Sequence, residues 1–299
     1  MMTAITSRDR ELVSRLAETR HSEALSTPGM INYTAHITRL MEDLVRRVPE
    51  LSYIDLSRVL VFSRFGRSDA EGAYATCHAI SLPSSEPSYY FWRDRQSGRM
   101  TRRSEWFVTK SPVVQVGGSS IDYLISFCLP RFCDQTIARA CKQRVYPGAE
   151  PWVAKLDTIV HELYHVDPSH VGIRRLPRRD GSASTRTHSP GFFRSVARMV
   201  RHYLASGPDP DVLEFLRHDF SELTRRYGRV TATAFRSFPS YPQRYIEVVA
   251  EEIDVEPGVR VEPVRPPAAR TQYTASDLTV REFNRTTSRR VERPEEQAA

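Results

Sequence analysis

The chain has 299 residues, and its 43 Lys and Arg residues against 36 Asp and Glu residues give a formal net charge of +7. This length allows one or two domains, and no apolar run approaches the roughly 20 residues that a membrane-spanning helix needs. Residues 1–20 are polar and lack the apolar core of a signal peptide. The sequence therefore predicts a soluble cytoplasmic protein without a membrane partner.

The first half of the chain predicts two helices followed by a run of strands. Residues 7–25 predict a polar helix, and residues 31–47 predict an amphipathic helix that Pro49 closes. Strand patterns, separated by Gly, Ser, Pro and charged residues, follow at 59–65, 73–82, 89–92, 106–108, 113–116 and 121–129. A further helix is predicted at 134–143.

The second half predicts mainly helices and then a tail. Helical patterns cover 151–167, 190–205 and 210–226, and a strand is predicted at 248–255. Residues 257–299 are rich in Pro, Arg, Thr and Glu and have few large apolar side chains, a composition that is typical of disorder. The sequence thus predicts an α+β fold with an N-terminal extension (1–29), a folded domain (30–256) and a disordered tail (257–299).

The segment His161-Glu162-Leu163-Tyr164-His165 has the HExxH pattern of zinc hydrolases. On a helix, the two histidines lie one turn apart on the same side and can bind one metal ion, while Glu162 can reach a water molecule beside it. The alternative is a surface helix with solvated polar residues. An apolar stripe favours the metal site, because it makes this helix amphipathic and leaves the histidines partly buried. The stripe consists of Leu156, Ile159, Val160, Leu163 and Val166.

A catalytic zinc ion usually has a third protein ligand, which the pentapeptide does not supply. No Glu occurs between Glu162 and Glu214, and Pro168 stands where the longer HExxHxxGxxH pattern requires glycine. The remaining candidates are Asp167, His170, Asp180 and His188. We favour His188, because Ser189 and Pro190 are typical of a helix N-cap and first turn, and a helix start can hold the preceding side chain in place.

The HExxH pentapeptide, a variable insert and then His188-Ser189-Pro190-Gly191-Phe192 resemble the SprT-like metallopeptidases and the metallopeptidase domains of bacteria and phages. The SprT-like family pairs HExxH with a later His-Gly-x-x-Phe at a helix start. The resemblance implies a zincin fold with N-terminal helices, a mixed or antiparallel sheet, the HExxH helix and a third-ligand helix. It also implies Zn²⁺ bound by three histidines, Glu162 as general base, and a polypeptide substrate that pairs with the sheet edge. Ser189 departs from the family glycine, and no CxxC pair follows.

Arginines crowd the insert between the second and third candidate ligands, and only Asp180 opposes them. A basic loop beside a metal site can bind nucleic-acid phosphates or an acidic substrate. A solvated loop is the simpler interpretation, because no aromatic residues interleave the arginines for base stacking. The arginines are Arg174, Arg175, Arg178, Arg179 and Arg186.

Two alternatives stay open at the level of sequence. The chain has four cysteines (Cys77, Cys128, Cys133 and Cys141), whose spacing lacks a CxxC knuckle and favours buried free thiols over a structural zinc at the last three. The metal motif itself fits either a zinc metallopeptidase or a non-catalytic zinc-site or nucleic-acid-associated module. The intact Glu162 favours the peptidase, since a structural site has no use for a carboxylate there.

Overall fold

The computed structural model describes residues 26–27, 29–81, 89–137, 142–177, 187–248, 255–262 and 270–290. Within these residues the protein is α+β, as the sequence predicts, with five α-helices and several small sheets. The helix predicted at 7–25 lies outside the described residues. No described helix has both the length and the apolar character needed to cross a membrane.

The helices in chain order are α1 (Tyr33–Arg47), α2 (Val153–Tyr164), α3 (Pro190–Ala205), α4 (Pro210–Arg217) and α5 (Phe220–Tyr227). The strands are β1 (Ser26–Thr27), β2 (Met30–Asn32), β3 (Val59–Gly66), β4 (Ala75–Ala79), β5 (Tyr89–Arg93), β6 (Met100–Lys110), β7 (Val113–Val116), β8 (Ser119–Ser120), β9 (Tyr123–Pro130), β10 (Arg229–Phe235), β11 (Tyr245–Val248), β12 (Arg260–Glu262), β13 (Gln272–Thr274), β14 (Leu278–Phe283) and β15 (Ser288–Arg290). They form sheets in the orders β1-β2-β10-β14-β15, β11-β6-β12 with β5 on β6, β13-β7-β8 and β3-β9-β4.

The sheet β3-β9-β4 lies at the centre of the protein and positions the candidate site. Strand β9 is buried along its whole length, runs parallel to β3 and pairs antiparallel with β4, which forms one edge. One face of the sheet packs against the helices in the larger core. The other face forms a smaller core with β7, β10 and β13, through Phe62, Leu124, Phe235 and Tyr273. The predicted strands at 59–65, 73–82 and 121–129 correspond to these three strands.

Helix α1 covers the larger core and confirms the helix predicted at 31–47. The side chain of Asn32 accepts a hydrogen bond from the backbone N–H of Ala35, which caps the first turn. The buried stripe is made by Ile37, Leu40, Met41 and Leu44. The helix ends at Arg47, because Val48 is extended and precedes a proline.

The helix predicted at 134–143 is wrong for the residues that the structure describes. Residues 134–137 and 142–143 form turns and irregular backbone, and 138–141 lie outside the described residues. Polar side chains in this segment are used for tertiary contacts: Asp134 accepts from the backbone N–H of Phe220, and Gln135 accepts from the hydroxyl of Thr158. These long-range contacts override the local helical pattern.

One boundary also differs from prediction. The helix predicted at 210–226 is divided into α4 and α5, because Asp219 forms a capping box with Glu222 and starts a new helix. Strand β11 (Tyr245–Val248) reaches the first residue of the strand predicted at 248–255, and residues 249–254 lie outside the described residues, so that strand stays a prediction.

The disordered tail predicted at 257–299 is wrong for residues 260–262 and 270–290. Strands β12 to β15 lie there, and β14 pairs with β10 over six residues. Tyr273 and Phe283 are buried. The segment folds with few apolar residues because existing sheets supply its backbone hydrogen bonds and an apolar face.

Candidate metal centre

Helix α2 carries the HExxH motif and is the most buried helix around the cleft. It spans Val153–Tyr164, so it is shorter at both ends than the predicted 151–167. The apolar stripe of Leu156, Ile159, Val160 and Leu163 is fully buried in the larger core. His165 is the C-cap residue, and its backbone N–H donates to the carbonyl of Glu162. The helix therefore presents His161, Glu162 and His165 to the cleft from a fixed base.

The imidazole rings of the three histidines that were predicted as metal ligands converge on one point. Their Nε2 atoms are 3.1 Å apart for His161 and His165, 3.0 Å for His161 and His188, and 3.0 Å for His165 and His188. His188 precedes α3, whose first turn is capped by Ser189 accepting from the backbone N–H of Phe192 at 3.2 Å. The predicted N-cap and proline at the start of this helix are confirmed.

The other candidate third ligands do not join this group where the structure describes them. The carboxylate of Asp167 accepts from the backbone N–H and hydroxyl of Ser169. The Nδ1 atom of His170 lies 3.5 Å from the carboxylate of Asp122. Asp180 lies outside the described residues. Among the described residues, the one group of three or more His, Cys, Asp or Glu side chains that could hold a metal ion is His161, His165 and His188.

Two phenylalanines at the start of α3 orient the imidazole rings. Phe192 is buried and stacks on His165 with ring centroids 4.7 Å apart, and Phe193 is 52% exposed and stacks on His188 at 5.7 Å. The buried Nδ1 of His165 has no hydrogen-bond partner among the residues that the structure describes. The orientation of that ring therefore depends on the Phe192 stack rather than on a polar contact.

Burial keeps the three imidazoles neutral. It lowers the pKa of His161 to about 2 and the pKa of His165 to about 3, with a smaller contribution from the neighbouring histidines, and it also lowers the pKa of His188. Neutral imidazoles direct nitrogen lone pairs at the point where the three rings meet. That donor set fits Zn²⁺, which takes imidazole nitrogens at about 2.0–2.1 Å, so that ligand nitrogens lie roughly 3–3.5 Å apart.

Glu162 is 6% exposed and lines the same cleft as the histidines. Burial raises the pKa of its carboxyl group to about 8, although the Lys142 ammonium and a hydrogen bond from the backbone N–H of Cys77 favour the ionised form. A carboxyl group with a pKa near neutrality can both accept and release a proton. The structure thus places the predicted general base between the edge strand and the histidines.

The cleft has a volume of about 780 Å³ and lies between β4 and helices α2 and α3. Cys128 donates its N–H to the carbonyl of Tyr74, and Ile80 donates to that of Asp122. Because backbone hydrogen bonds alternate in an antiparallel pair, the N–H and C=O groups of Ala75, Cys77 and Ala79 point away from β9. Among the described residues, β4 is therefore an edge strand along the cleft, with the N–H of Cys77 engaged by Glu162 and the other outward groups of Ala75 and Cys77 directed away from β9.

A polar cluster that the sequence analysis missed lines the cleft beside the motif. Lys142 pairs with Asp157 and donates to the hydroxyl of Thr158 at 2.9 Å, which in turn donates to the side-chain oxygen of Gln135 at 3.0 Å. Two signals in the sequence point to it. Lys142 is one of only three lysines in an arginine-rich chain, and Asp157 and Thr158 lie one helical turn before His161.

The segment after α2 is held by aromatic contacts that involve one of the predicted nucleic-acid-binding arginines. The backbone N–H of Arg174 donates to the carbonyl of His165, and its guanidinium lies 4.3 Å from the centre of the Tyr164 ring. The guanidinium also donates to the hydroxyl of Tyr53, which donates to the carbonyl of Val166. Arg174 therefore serves the fold, and Arg175 is half-buried. Arg178, Arg179 and Arg186 lie outside the described residues, so a phosphate-binding role for the insert stays a prediction.

The cysteines that the structure describes are free thiols. Burial raises the pKa of Cys77 and Cys128 and raises that of Cys133 to about 12, which keeps these thiols protonated. This agrees with the predicted buried thiols. Cys141 lies outside the described residues, so the alternative cysteine zinc site is not tested.

No family model, curated protein or solved structure matches the chain. Function is therefore inferred from the geometry of the three histidines, Glu162 and the cleft around them.

Proposed function

We propose that the protein is a zinc-dependent metallopeptidase with a zincin-like fold. The observation that carries this proposal is the convergence of the Nε2 atoms of His161, His165 and His188, within 3.0–3.1 Å of one another, beside the buried carboxyl group of Glu162. Three neutral imidazoles with an open side are the ligand set of catalytic rather than structural zinc, which usually has four protein ligands. The exposed side of His188 faces the cleft and leaves that open side accessible.

His161, His165 and His188 would hold the zinc ion, which when bound supplies Lewis acidity towards a scissile carbonyl group and its attacking water. Glu162 accepts the proton of the attacking water and later delivers it to the leaving amine. The Lys142 ammonium and the Cys77 N–H favour the ionised form of this carboxyl group, which is the form that accepts a proton. The Cys77 N–H holds the carboxylate of Glu162 towards the cleft, so that the proton moves to and from a fixed position.

A polypeptide substrate fits the edge of the central sheet. The backbone groups of Ala75 point away from β9 at the cleft wall, those of Ala79 do so further along the same strand edge, and an extended peptide can pair with such an edge by strand addition. This arrangement brings the substrate backbone past the three histidines. A zincin-like fold is proposed on the same grounds: the edge strand, the motif helix and the third-ligand helix follow one another around one cleft.

The test combines metal analysis with proteolysis. We expect about one zinc ion per chain, cleavage of casein that a chelator abolishes, and a Glu162→Gln variant that keeps its zinc but loses turnover by about 100-fold or more. Glu42→Gln, at an exposed position of α1, is the matched control and should cleave casein normally.

The outcomes separate the candidate functions. Normal cleavage by Glu162→Gln would contradict the proposed mechanism. Bound zinc without cleavage of any peptide would favour the non-catalytic zinc-site protein. A preparation that binds no metal under zinc-replete conditions would exclude both the peptidase and the non-catalytic zinc-site protein.

A further inference from the structure

The polar cluster beside the metal centre consists of Gln135, Lys142, Tyr146, Asp157 and Thr158, and we call it the cleft-floor cluster. All of its members except Tyr146 line the cleft. Thr158 lies three residues before His161 on α2, which is about 4.5 Å along the helix axis. A substrate residue next to the scissile bond therefore has its side chain within reach of this cluster.

The two charged members of the cleft-floor cluster satisfy each other. The Lys142 ammonium contacts the Asp157 carboxylate, the Thr158 hydroxyl at 2.9 Å and the Ala154 carbonyl at 3.1 Å. These contacts use its three donors. The second carboxylate oxygen of Asp157 accepts from the Tyr146 hydroxyl. The ion pair is thus neutral and already hydrogen-bonded.

Gln135 is the member of the cluster with spare hydrogen-bonding capacity. Its side chain is 1% exposed and lines the cleft. The oxygen of its carboxamide accepts from the Thr158 hydroxyl at 3.0 Å, which leaves the amide donors at the other end available to a ligand. A ligand that covers this carboxamide removes it from water, and the cost of doing so is recovered only when the ligand supplies a hydrogen bond.

We propose that the cleft-floor cluster is a subsite for a carboxamide side chain, asparagine or glutamine, of the substrate residue next to the scissile bond, with Gln135 as the specificity-determining residue. The proposal rests on the proposed peptidase function. Two carboxamides pair with each other through one donor and one acceptor. Because the Thr158 hydroxyl can donate or accept, this pairing works whichever end of Gln135 faces the cleft.

Other side chains fit the subsite less well. An apolar side chain leaves the carboxamide of Gln135 unpaired and desolvated. A carboxylate brings a buried charge beside the neutral pair of Lys142 and Asp157, whose donors and acceptors are already engaged. The subsite therefore discriminates against both classes.

The test measures binding rather than turnover. Zinc-loaded protein is titrated calorimetrically with the N-acetyl hydroxamates of Gln, Glu and Met, whose metal-binding group is common and whose side chains differ. Acetohydroxamate, which has no side chain, serves as the reference. We expect the Gln compound to bind about tenfold more tightly than the Met compound, and more tightly than the Glu compound. In Gln135→Met this preference should disappear, and in Gln115→Met, an exposed position on β7, it should persist.

Each result has a defined meaning. Equal binding of the Gln and Met compounds to the wild type, tighter binding of the Glu compound, or an unchanged preference in Gln135→Met would overturn the subsite. If Gln135→Met does not fold, the wild-type series decides alone. If acetohydroxamate does not bind, the proposed metal centre and the proposed subsite are both wrong. If acetohydroxamate binds and casein is cleaved, but the wild type shows no side-chain preference, the subsite alone is wrong.

Discussion

At the scale of single residues, the proposed metal centre depends on His188, which precedes α3, whereas His161 and His165 come from α2 and its C-cap. His188 is brought to α2 by the cap of α3, so its contribution to metal binding is separable from the stability of α2. We expect His188→Ala to lower zinc affinity by more than about 100-fold, because three ligands become two, while the fold is retained. Competition with a chromophoric chelator measures the affinity.

The control for this variant is His202→Ala, since His202 is an exposed histidine on the same helix. Its zinc affinity should equal that of the wild type. Unchanged affinity in His188→Ala would show that another residue, such as Asp180 in the undescribed insert, completes the site.

A second residue-scale prediction concerns the ring stacked on His165. Since the Nδ1 of His165 has no polar partner among the described residues, Phe192 is the group that orients the ring. Phe192→Leu should lower zinc affinity by about tenfold, within the range seen when outer contacts of metal ligands are removed. Phe193→Leu, at the exposed neighbouring position, should change it much less. An equal loss in both variants would assign the effect to general packing of α3.

At the scale of secondary structure, a buried carboxylate joins α1 to α3. Asp43 on α1 accepts from the Tyr203 hydroxyl on α3 at 2.7 Å and pairs with Arg46 and Arg47. Burial alone would raise the pKa of Asp43, but the hydrogen bonds from Tyr203, Arg47 and Arg46 outweigh it and hold the pKa below its usual range. The ionised form is therefore the one that stabilises the contact between these helices.

This contact predicts a pH-dependent stability effect. A carboxyl group with a lowered pKa in the folded state stabilises the protein above its usual pKa and loses that contribution as pH falls below about 4. Asp43→Asn should therefore reduce the free energy of unfolding by about 2 kcal/mol at pH 7, and by less at pH 3. Chemical denaturation of the metal-free protein at both pH values measures the difference.

Asp69→Asn is the control for this measurement, because Asp69 forms an exposed pair with Arg67. Such pairs contribute little, so the control should be nearly neutral at both pH values. If Asp43→Asn lowers the free energy of unfolding equally at pH 3 and pH 7, the effect comes from packing rather than from charge.

The secondary structure also shows which elements could be predicted from the sequence. Helices α1, α2 and α3 carry their own signals, namely an apolar stripe in each, a capping residue for α1 and α3 and, for α3, a proline in the first turn. The three histidines could be predicted because those signals place His188 at a helix start. Gln135 could not, because its conformation is set by contact with Thr158, which is 23 residues away and whose proximity no local pattern encodes.

At the scale of the whole molecule, the C-terminal segment belongs to the folded body. Strand β14 adds to β10, whose other neighbour is β2, so residues from both ends of the chain close one sheet. Arg285 reaches Asp134 at 2.8 Å, next to Gln135 of the cleft-floor cluster. The composition of this segment predicts disorder because it contains few apolar residues. Composition does not reveal that the edge of an existing sheet is available for pairing.

The whole-molecule prediction follows from the burial of that segment. Deletion of residues 263–299 removes the buried rings of Tyr273 and Phe283, exposes Phe235 in the smaller core and leaves β10 paired with β2 only. Loss of a buried aromatic side chain costs about 3–5 kcal/mol, so the loss of two approaches the 5–15 kcal/mol that typically stabilises a whole domain. We expect this truncated chain to lose cooperative thermal unfolding and zinc binding together. Deletion of residues 291–299 alone is the control and should leave both unchanged, because strands β12 to β15 are retained. A 263–299 deletion that melts like the full chain would show that the central sheet and the metal centre are stable without the C-terminal strands.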